Sequence, residues 1–120
     1  MAIRFEILGT EGADNALYVE VDSGQAQSRL LFDCGARCLD ALPVHTLQGI
    51  DHLFFSHGHM DHIAGFDDFF RLNYDRTTKR NQLWGPPGIA AILQHRFQGY
   101  WWNLVHEADA VWEVTEIDEL

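Results

Sequence analysis

Three histidines and one aspartate fall within six positions, in the segment 57–62 with the sequence H-G-H-M-D-H, directly after an apolar run. His57 and His59 are two residues apart, so an extended loop can point both imidazoles to the same side. Asp61 and His62 lie one bend further along and can face a neighbouring position. Neutral imidazole and carboxylate suit zinc, and also iron or manganese. The spacing predicts a metal site with ligands for two ions.

The alternative for any one of these histidines is a structural role, because single histidines often cap turns or lie in a core with their hydrogen bonds satisfied. Four coordinating residues in six positions favour a metal site, since the pattern is far more specific than an isolated His-x-His.

The segments before and after this motif predict the elements that position it. Apolar alternation and turn residues predict strands, of which the first three form an antiparallel meander. The predicted strands are residues 3–8, 16–21, 29–35, 51–56, 82–85 and 110–117. Helical spacing predicts short helices near 37–42 and 45–50, an amphipathic helix over 62–74, and a helix over 89–104 with Pro86-Pro87 at its first turn and Trp101 on its apolar stripe.

This order, strands first and then strand alternating with helix, predicts an α+β fold. We expect one mixed β-sheet with helices packed on one face. The chain has 120 residues and shows no internal repeat or linker, so residues 1–120 are expected to form a single domain.

The charge balance bears on partners. The formal net charge is −10, which opposes loose association with nucleic acid or an anionic membrane. Four of the eight basic residues lie between Arg71 and Arg80, and this segment is either a solvated loop or an edge that contacts phosphate.

The location predicted from the sequence is the cytoplasm. The sequence contains no apolar stretch long enough to span a membrane and no amino-terminal signal pattern, so we expect no membrane partner. Cys34 and Cys38 match neither a CxxC redox motif nor a paired zinc framework. Reduced structural thiols are favoured, with a disulfide or a metal site as the alternatives.

The motif HxHxDH at the end of an apolar strand resembles the signature of the metallo-β-lactamase superfamily. The likeness extends to "LLFDCG" at 30–35, to "TLQGIDHLFFSHGHMDHIAGF" at 46–66 and to "LWGPPGI" at 83–89. The last segment resembles the ribonuclease Z-like branch, which includes phosphodiesterases. The resemblance implies the amino-terminal half of an αββα sandwich.

The resemblance also implies roles for individual residues. His57 and His59 would bind a first metal ion, and Asp61 and His62 a second, with zinc as the expected metal and manganese or iron possible. Asp33 would orient a ligating imidazole by a hydrogen bond. A hydroxide held by the metals would attack a phosphoryl or acyl centre, and Asp61 would also hold the attacking water.

Later ligands of that family have no counterpart that the sequence identifies. The candidates after the motif, His95, His106, Asp109 and Asp118, stand in contexts that do not match. Two functions therefore stay open: a metal-dependent hydrolase acting on a small-molecule or nucleic-acid phosphodiester, and a truncated, inactive metal-binding or oligomerisation module. Since the second half of the family's domain covers the other sheet face, we expect a homodimer to cover it here.

Overall fold

The structure is a computed structural model that describes residues 1–100 and 112–118. Within these residues the strands form one sheet of six, in the spatial order β1 to β6. The strands are β1 (Ala2–Ile7), β2 (Leu17–Asp22), β3 (Gln27–Phe32), β4 (His52–Phe54), β5 (Asn81–Gly85) and β6 (Trp112–Glu116).

The sheet is mixed, as the sequence predicted. The first three strands pair antiparallel, with Ile7 opposite Leu17 and Leu17 opposite Phe32. From β3 onward each neighbouring pair is parallel, with Phe32 aligned to Phe54 and Phe54 to Trp84. Parallel neighbours need crossover connections, and the helices lie in these connections.

The helices occupy the connections in chain order. A 3-10 helix (Cys38–Ala41) and α1 (Val44–Leu47) lie between β3 and β4, and α2 (Met60–Ile63) and α3 (Phe66–Asn73) lie between β4 and β5. The helix α4 (Ile89–Phe97) precedes β6. In the part of the chain that the structure describes, every helix is too short or too polar to cross a lipid bilayer.

The core lies between these helices and one face of the sheet. Leu31, Leu53 and Leu83 of the central strands are fully buried there. Phe66 and Phe70 of α3 pack their rings against the indole of Trp112, with ring centroids 6.0 and 5.1 Å apart. The expected α+β fold with helices on one sheet face is confirmed.

The opposite face of the sheet is apolar as well. We call it the open face; it comprises Ile3, Phe5, Ile7, Leu17, Val19, Phe32, Phe54 and Trp84. The ring centroids of Phe32 and Phe54 lie 5.0 Å apart and those of Phe54 and Trp84 6.0 Å apart, so a stacked aromatic row crosses three strands. On β1 the side chains stand in solvent, with Phe5 69% exposed.

Two predicted helices differ from those observed. The predicted helix 62–74 is interrupted at Gly65, whose N–H donates to the carbonyl of Cys34 instead of continuing the helix. The helix α4 begins after Gly88, which has φ 98°, so the two prolines precede the helix and do not lie in its first turn. Trp101 and the start of the predicted last strand lie outside the described residues.

The two cysteines are buried free thiols, which confirms the prediction of reduced structural residues. Burial raises the pKa of both thiols, and that of Cys34 most strongly. A neutral buried thiol packs as a small apolar group.

Arg76, from the basic segment, is a structural residue. Its guanidinium is buried and donates to the backbone carbonyls of Gln48 (3.0 Å), Lys79 (3.1 Å) and Arg80 (2.8 Å). Burial lowers the pKa of this guanidinium. Arg76 therefore holds the segment against the end of the crossover that precedes β4.

Two further cations of the segment are paired with carboxylates. The Nζ of Lys79 lies 2.7 Å from Oδ1 of Asp51, and the Nε of Arg80 lies 3.3 Å from Oε2 of Glu113. Three of the four basic residues in 71–80 thus bind groups within the fold, which argues against an edge that contacts phosphate and differs from a simply solvated loop.

We expect Arg76→Ala to lower the free energy of unfolding by about 2–4 kcal/mol, because it leaves buried carbonyl groups without their donor. Arg71→Ala is the matched control, since Arg71 is exposed and its loss should change stability by less than about 0.5 kcal/mol. Urea unfolding followed by circular dichroism measures both. Equal stabilities of the two variants would contradict the structural role of Arg76.

Candidate metal centre

The candidate site lies where β3 and β4 end. These strands are parallel, so their carboxyl ends meet at one edge of the sheet. Asp33 directly follows β3, and its N–H donates to the carbonyl of Phe54 at 2.7 Å. Asp33 has φ 63°, a left-handed conformation that is uncommon outside glycine but better tolerated by aspartate. The histidine segment starts two residues after Phe54, at Ser56 and His57.

Three of the predicted ligands converge. His57, His59 and Asp61 each offer one ligand atom, and these three atoms lie within 4.8 Å of one another. In a tetrahedral site with ligand distances of about 2.1 Å the donors are roughly 3.4 Å apart, so modest side-chain rotations bring this set around one cation. The donor chemistry and its spacing fit a divalent metal ion.

The extended backbone at His59 is what makes this convergence possible. His59 has φ −69° and ψ 151°, and α2 begins at the next residue. The imidazoles of His57 and His59 therefore face each other edge to face, with ring centroids 4.5 Å apart and planes at 80°. Asp61 follows on the first turn of α2.

His62 occupies the inner position of the site. Its Nδ1 lies 2.7 Å from Oδ2 of Asp33, and its Nε2 lies 3.5 Å from Oδ2 of Asp61. Its ring centroid is 4.0 Å from that of His57. Asp33 thus meets an imidazole of the motif, namely that of His62. Asp61 groups with His57 and His59, and its Oδ2 also lies near Nε2 of His62, so the four side chains form one continuous cluster.

Asp33, which anchors His62, is less exposed than the proposed metal ligand Asp61. The side chain of Asp33 is 13% exposed, whereas that of Asp61 is 49% exposed. The anchoring carboxylate is therefore shielded from water, which strengthens its hydrogen bonds. The donor atoms of His59 and Asp61 remain open to solvent and to an incoming molecule.

Backbone hydrogen bonds hold the loop that carries these residues. The N–H of Asn15 donates to the carbonyl of Asp61 at 2.9 Å, and the N–H of Cys34 donates to the carbonyl of His62 at 2.8 Å. The N–H of Gly35 donates to the carbonyl of Asn15 at 2.9 Å, and that of Gly65 to the carbonyl of Cys34 at 2.8 Å. We call these four bonds the backbone clamp. It joins the loops that follow β1, β3 and β4.

The clamp requires glycine at position 35. A Cβ added to Gly35 would lie 2.5 Å from the carbonyl oxygen of Asp61 and 2.7 Å from the nitrogen of Asn15. Sequence reasoning identified the Asp-x-Gly pattern but assigned no role to this glycine, to Asn15 or to Ser56. The glycine after Asp-x was the available signal, because a glycine at the end of a strand often marks a close backbone approach.

His95 and Asp118, the described candidates outside the motif, are not grouped with the site. In the described ranges 1–100 and 112–118, the side chains grouped as possible metal ligands are those of His57, His59 and Asp61. His95 on α4 and Asp118 after β6 are both exposed. His106 and Asp109 lie outside the described residues.

Comparison with known proteins gives a family and close relatives. Residues 28–118 match the family model described as a β-lactamase superfamily domain. The chain is 59% identical over 113 residues to a ribonuclease Z of Deinococcus radiodurans, covering 94% of this chain and 34% of the relative. It is 35% identical over 97 residues to a ribonuclease Z of Halorubrum lacusprofundi, covering 73% of this chain and 30% of the relative. The chain spans about a third of the length of these relatives.

Among solved structures, the short form of human tRNase Z superposes with a TM-score of 0.68 at 22% sequence identity. The superposition covers 99% of this chain and 46% of the human protein. At this identity the similarity concerns the fold, and it confirms the expectation of half of an αββα sandwich.

We expect Gly35→Ala to destabilise the protein by about 1–3 kcal/mol, because the methyl group overlaps the backbone of the clamp. Gly99→Ala is the matched control, since its nearest contact would be 3.3 Å from the carbonyl oxygen of Arg96. Thermal unfolding of both variants provides the comparison. A Gly35→Ala protein as stable as wild type would show that the loops joined by the clamp can move apart without loss of stability.

Proposed function

Because the chain belongs to the β-lactamase superfamily, as its match over residues 28–118 shows, we propose that it forms part of a metal-dependent hydrolase of the ribonuclease Z-like branch that cleaves a phosphodiester. The observation that carries this proposal is the convergence of ligand atoms from His57, His59 and Asp61 at a strand edge. The proteins named as ribonuclease Z among the relatives support the reaction class.

The proposed metal is zinc, with up to two ions per site and with manganese or iron as alternatives. His57 and His59 would hold one ion, and Asp61 and His62 the other. Divalent ions of this kind acidify water and polarise a phosphoryl oxygen when bound.

The protein's own groups prepare the imidazoles for this role. The carboxylate of Asp33 accepts a hydrogen bond from Nδ1 of His62, which keeps the proton on that nitrogen and leaves Nε2 with its lone pair. Asp61, half exposed beside Nε2 of His62, is placed to orient a water molecule at the open side of the site. We propose Asp61 as the catalytic residue on this ground.

The class of substrate is constrained by charge. The net charge of −10 and the pairing of Lys79 and Arg80 with carboxylates leave little positive surface in the described residues to attract a polyanion. A small-molecule phosphodiester carries fewer negative charges than a nucleic acid and is therefore repelled less by this surface. A nucleic-acid phosphodiester would need exposed basic groups near the site to offset this repulsion.

A second function is supported by the number of donors. A closed zinc site takes about four ligands, and the described residues bring together three, with His62 adjacent. This favours, as the alternative, an inactive metal-binding or oligomerisation module of the same fold. Both functions share the same cluster but differ in ion stoichiometry and turnover.

We further propose that the protein works in the cytoplasm as a homodimer. The buried unpaired cysteines are typical of a reducing compartment. The open face presents apolar side chains from β1 to β5, and burial of such a surface against a second copy is favourable by roughly 25 cal/mol per Å² of apolar area. Two copies packed through this face would reproduce a sheet-on-sheet arrangement.

His59→Ala should lower zinc affinity by more than the roughly 10–100-fold typical of losing a group that only orients a ligand, because it removes one of three convergent donors. It should also abolish cleavage of bis(p-nitrophenyl) phosphate. His95→Ala, at an exposed histidine outside the cluster, is the control and should match wild type. Zinc titration by calorimetry and elemental analysis gives affinity and stoichiometry.

Two ions per chain with turnover that His59→Ala removes would support the hydrolase. One weakly held ion without turnover would support the inactive module. If His59→Ala and His95→Ala bound zinc equally well, the proposed metal centre would be wrong.

Phe5→Glu should convert a dimer into a monomer, because it places an unpaired charge within the proposed apolar interface. Val44→Glu is the control, since Val44 is an exposed apolar residue at the start of α1. Light scattering coupled to size exclusion measures the mass of each. A wild-type protein with the mass of one chain at micromolar concentration would refute the dimer.

A further inference from the structure

Ser56 lies among three polar groups of the site. Its hydroxyl oxygen is 2.7 Å from Oδ2 of Asp33, 2.9 Å from Nδ1 of His57 and 3.5 Å from Nδ1 of His62. Its backbone N–H donates to the other oxygen of Asp33 at 2.8 Å. Ser56 is therefore the residue that connects the anchoring carboxylate to the first histidine of the motif.

The proton positions in this group follow from counting donors and acceptors. An ionised carboxylate only accepts hydrogen bonds, so the single hydroxyl proton of Ser56 is donated to Asp33. The oxygen of Ser56 then has only lone pairs to offer to His57, and the contact at 2.9 Å requires a proton on Nδ1 of His57. A neutral His57 consequently has its lone pair on Nε2.

The same count applies to His62. Its Nδ1 also meets the Asp33 carboxylate and therefore also bears the proton, which leaves Nε2 free. One carboxylate thus fixes the tautomers of two imidazoles, directly for His62 and through the hydroxyl of Ser56 for His57. Both rings meet this carboxylate network through Nδ1, with their centroids 4.0 Å apart.

We propose that Ser56 is a positioning residue that sets the tautomer and orientation of His57, so that Nε2 of His57 is the atom presented to a divalent cation. This inference rests on the proposed function, because that function supplies the metal ion. The hydrogen bonds of Ser56 do not depend on it, since they join side chains of this chain to one another. Without the hydroxyl, Nδ1 of His57 has no acceptor at this position, so the neutral ring can bear its proton on either nitrogen and can rotate.

The variants that test this are Ser56→Ala and Ser56→Thr, with Ser28→Ala as control at an exposed serine on β3. The first readout is the tautomer of His57 in the metal-free full chain, from nitrogen-15 NMR of the imidazoles at a pH where they are neutral. We expect wild type and Ser56→Thr to bear the proton on Nδ1, and Ser56→Ala to lose this preference.

The second readout is zinc affinity from competition with a chromogenic chelator. Ser56→Ala should bind zinc about 10–100-fold more weakly than wild type, in line with the loss of other groups that orient metal ligands. Ser56→Thr, which keeps the hydroxyl, should stay within about threefold of wild type, as should Ser28→Ala.

Failure of the inference is distinct from failure of the proposed function. A wild-type His57 protonated on Nε2, or a Ser56→Ala protein with unchanged tautomer and unchanged zinc affinity, would overturn the role of Ser56 while the metal centre stands. A wild-type protein with the expected tautomer but no zinc binding would refute the metal centre. Ser56 would then orient His57 without preparing it for a metal ion. A loss of affinity in Ser56→Thr equal to that in Ser56→Ala would overturn the role of the hydroxyl.

Discussion

The hydrogen bonds made by the Asp33 carboxylate, together with the backbone clamp beside it, join parts of the chain that are far apart in sequence. Asp33 ends the third strand, and it receives bonds from Ser56 and from His62, which lie on either side of the motif's first two histidines. The loop at His57–His59 is therefore fixed at both of its ends. An exposed loop of this kind would otherwise have many conformations, and ordering each residue costs about 1–2 kcal/mol.

The two faces of the sheet contribute differently to this arrangement. The helix-covered face supplies the stability, because fully buried side chains such as Leu53 and Phe66 lie there. The open face leaves Phe5 and the aromatic row from Phe32 to Trp84 without a covering layer in the described residues.

Sequence alone identified much of the fold and the core of the site. The six strands, the meander and the helices on one face follow from periodicity, which is a local property of the sequence. The grouping of His57, His59 and Asp61 was predictable because their spacing is local too. The break at Gly65 was missed, since it depends on a hydrogen bond to Cys34, a residue brought near only by the tertiary fold.

The roles of Ser56 and Asn15 were beyond sequence reasoning for the same reason. A serine between a strand and a histidine has no periodic signature, and its function becomes visible only when Asp33 lies 2.7 Å away. Asn15 acts through its backbone, whose hydrogen bond to Asp61 does not depend on the side-chain type. Such contacts are set by strand register and by glycines that permit close approach, as at position 35.

The clamp joins the loop of the histidine motif to the loops that follow β1 and β3. The conformational entropy of this loop is therefore lost when the chain folds and not when an ion binds. Cation affinity and domain stability are then linked quantities. An ion that binds only the folded chain raises the free energy of unfolding by RT ln(1 + [L]/Kd). Conversely, a change elsewhere in the sheet lowers the apparent ion affinity only when it unfolds a sizeable fraction of the chain, because the unfolded chain lacks the assembled site.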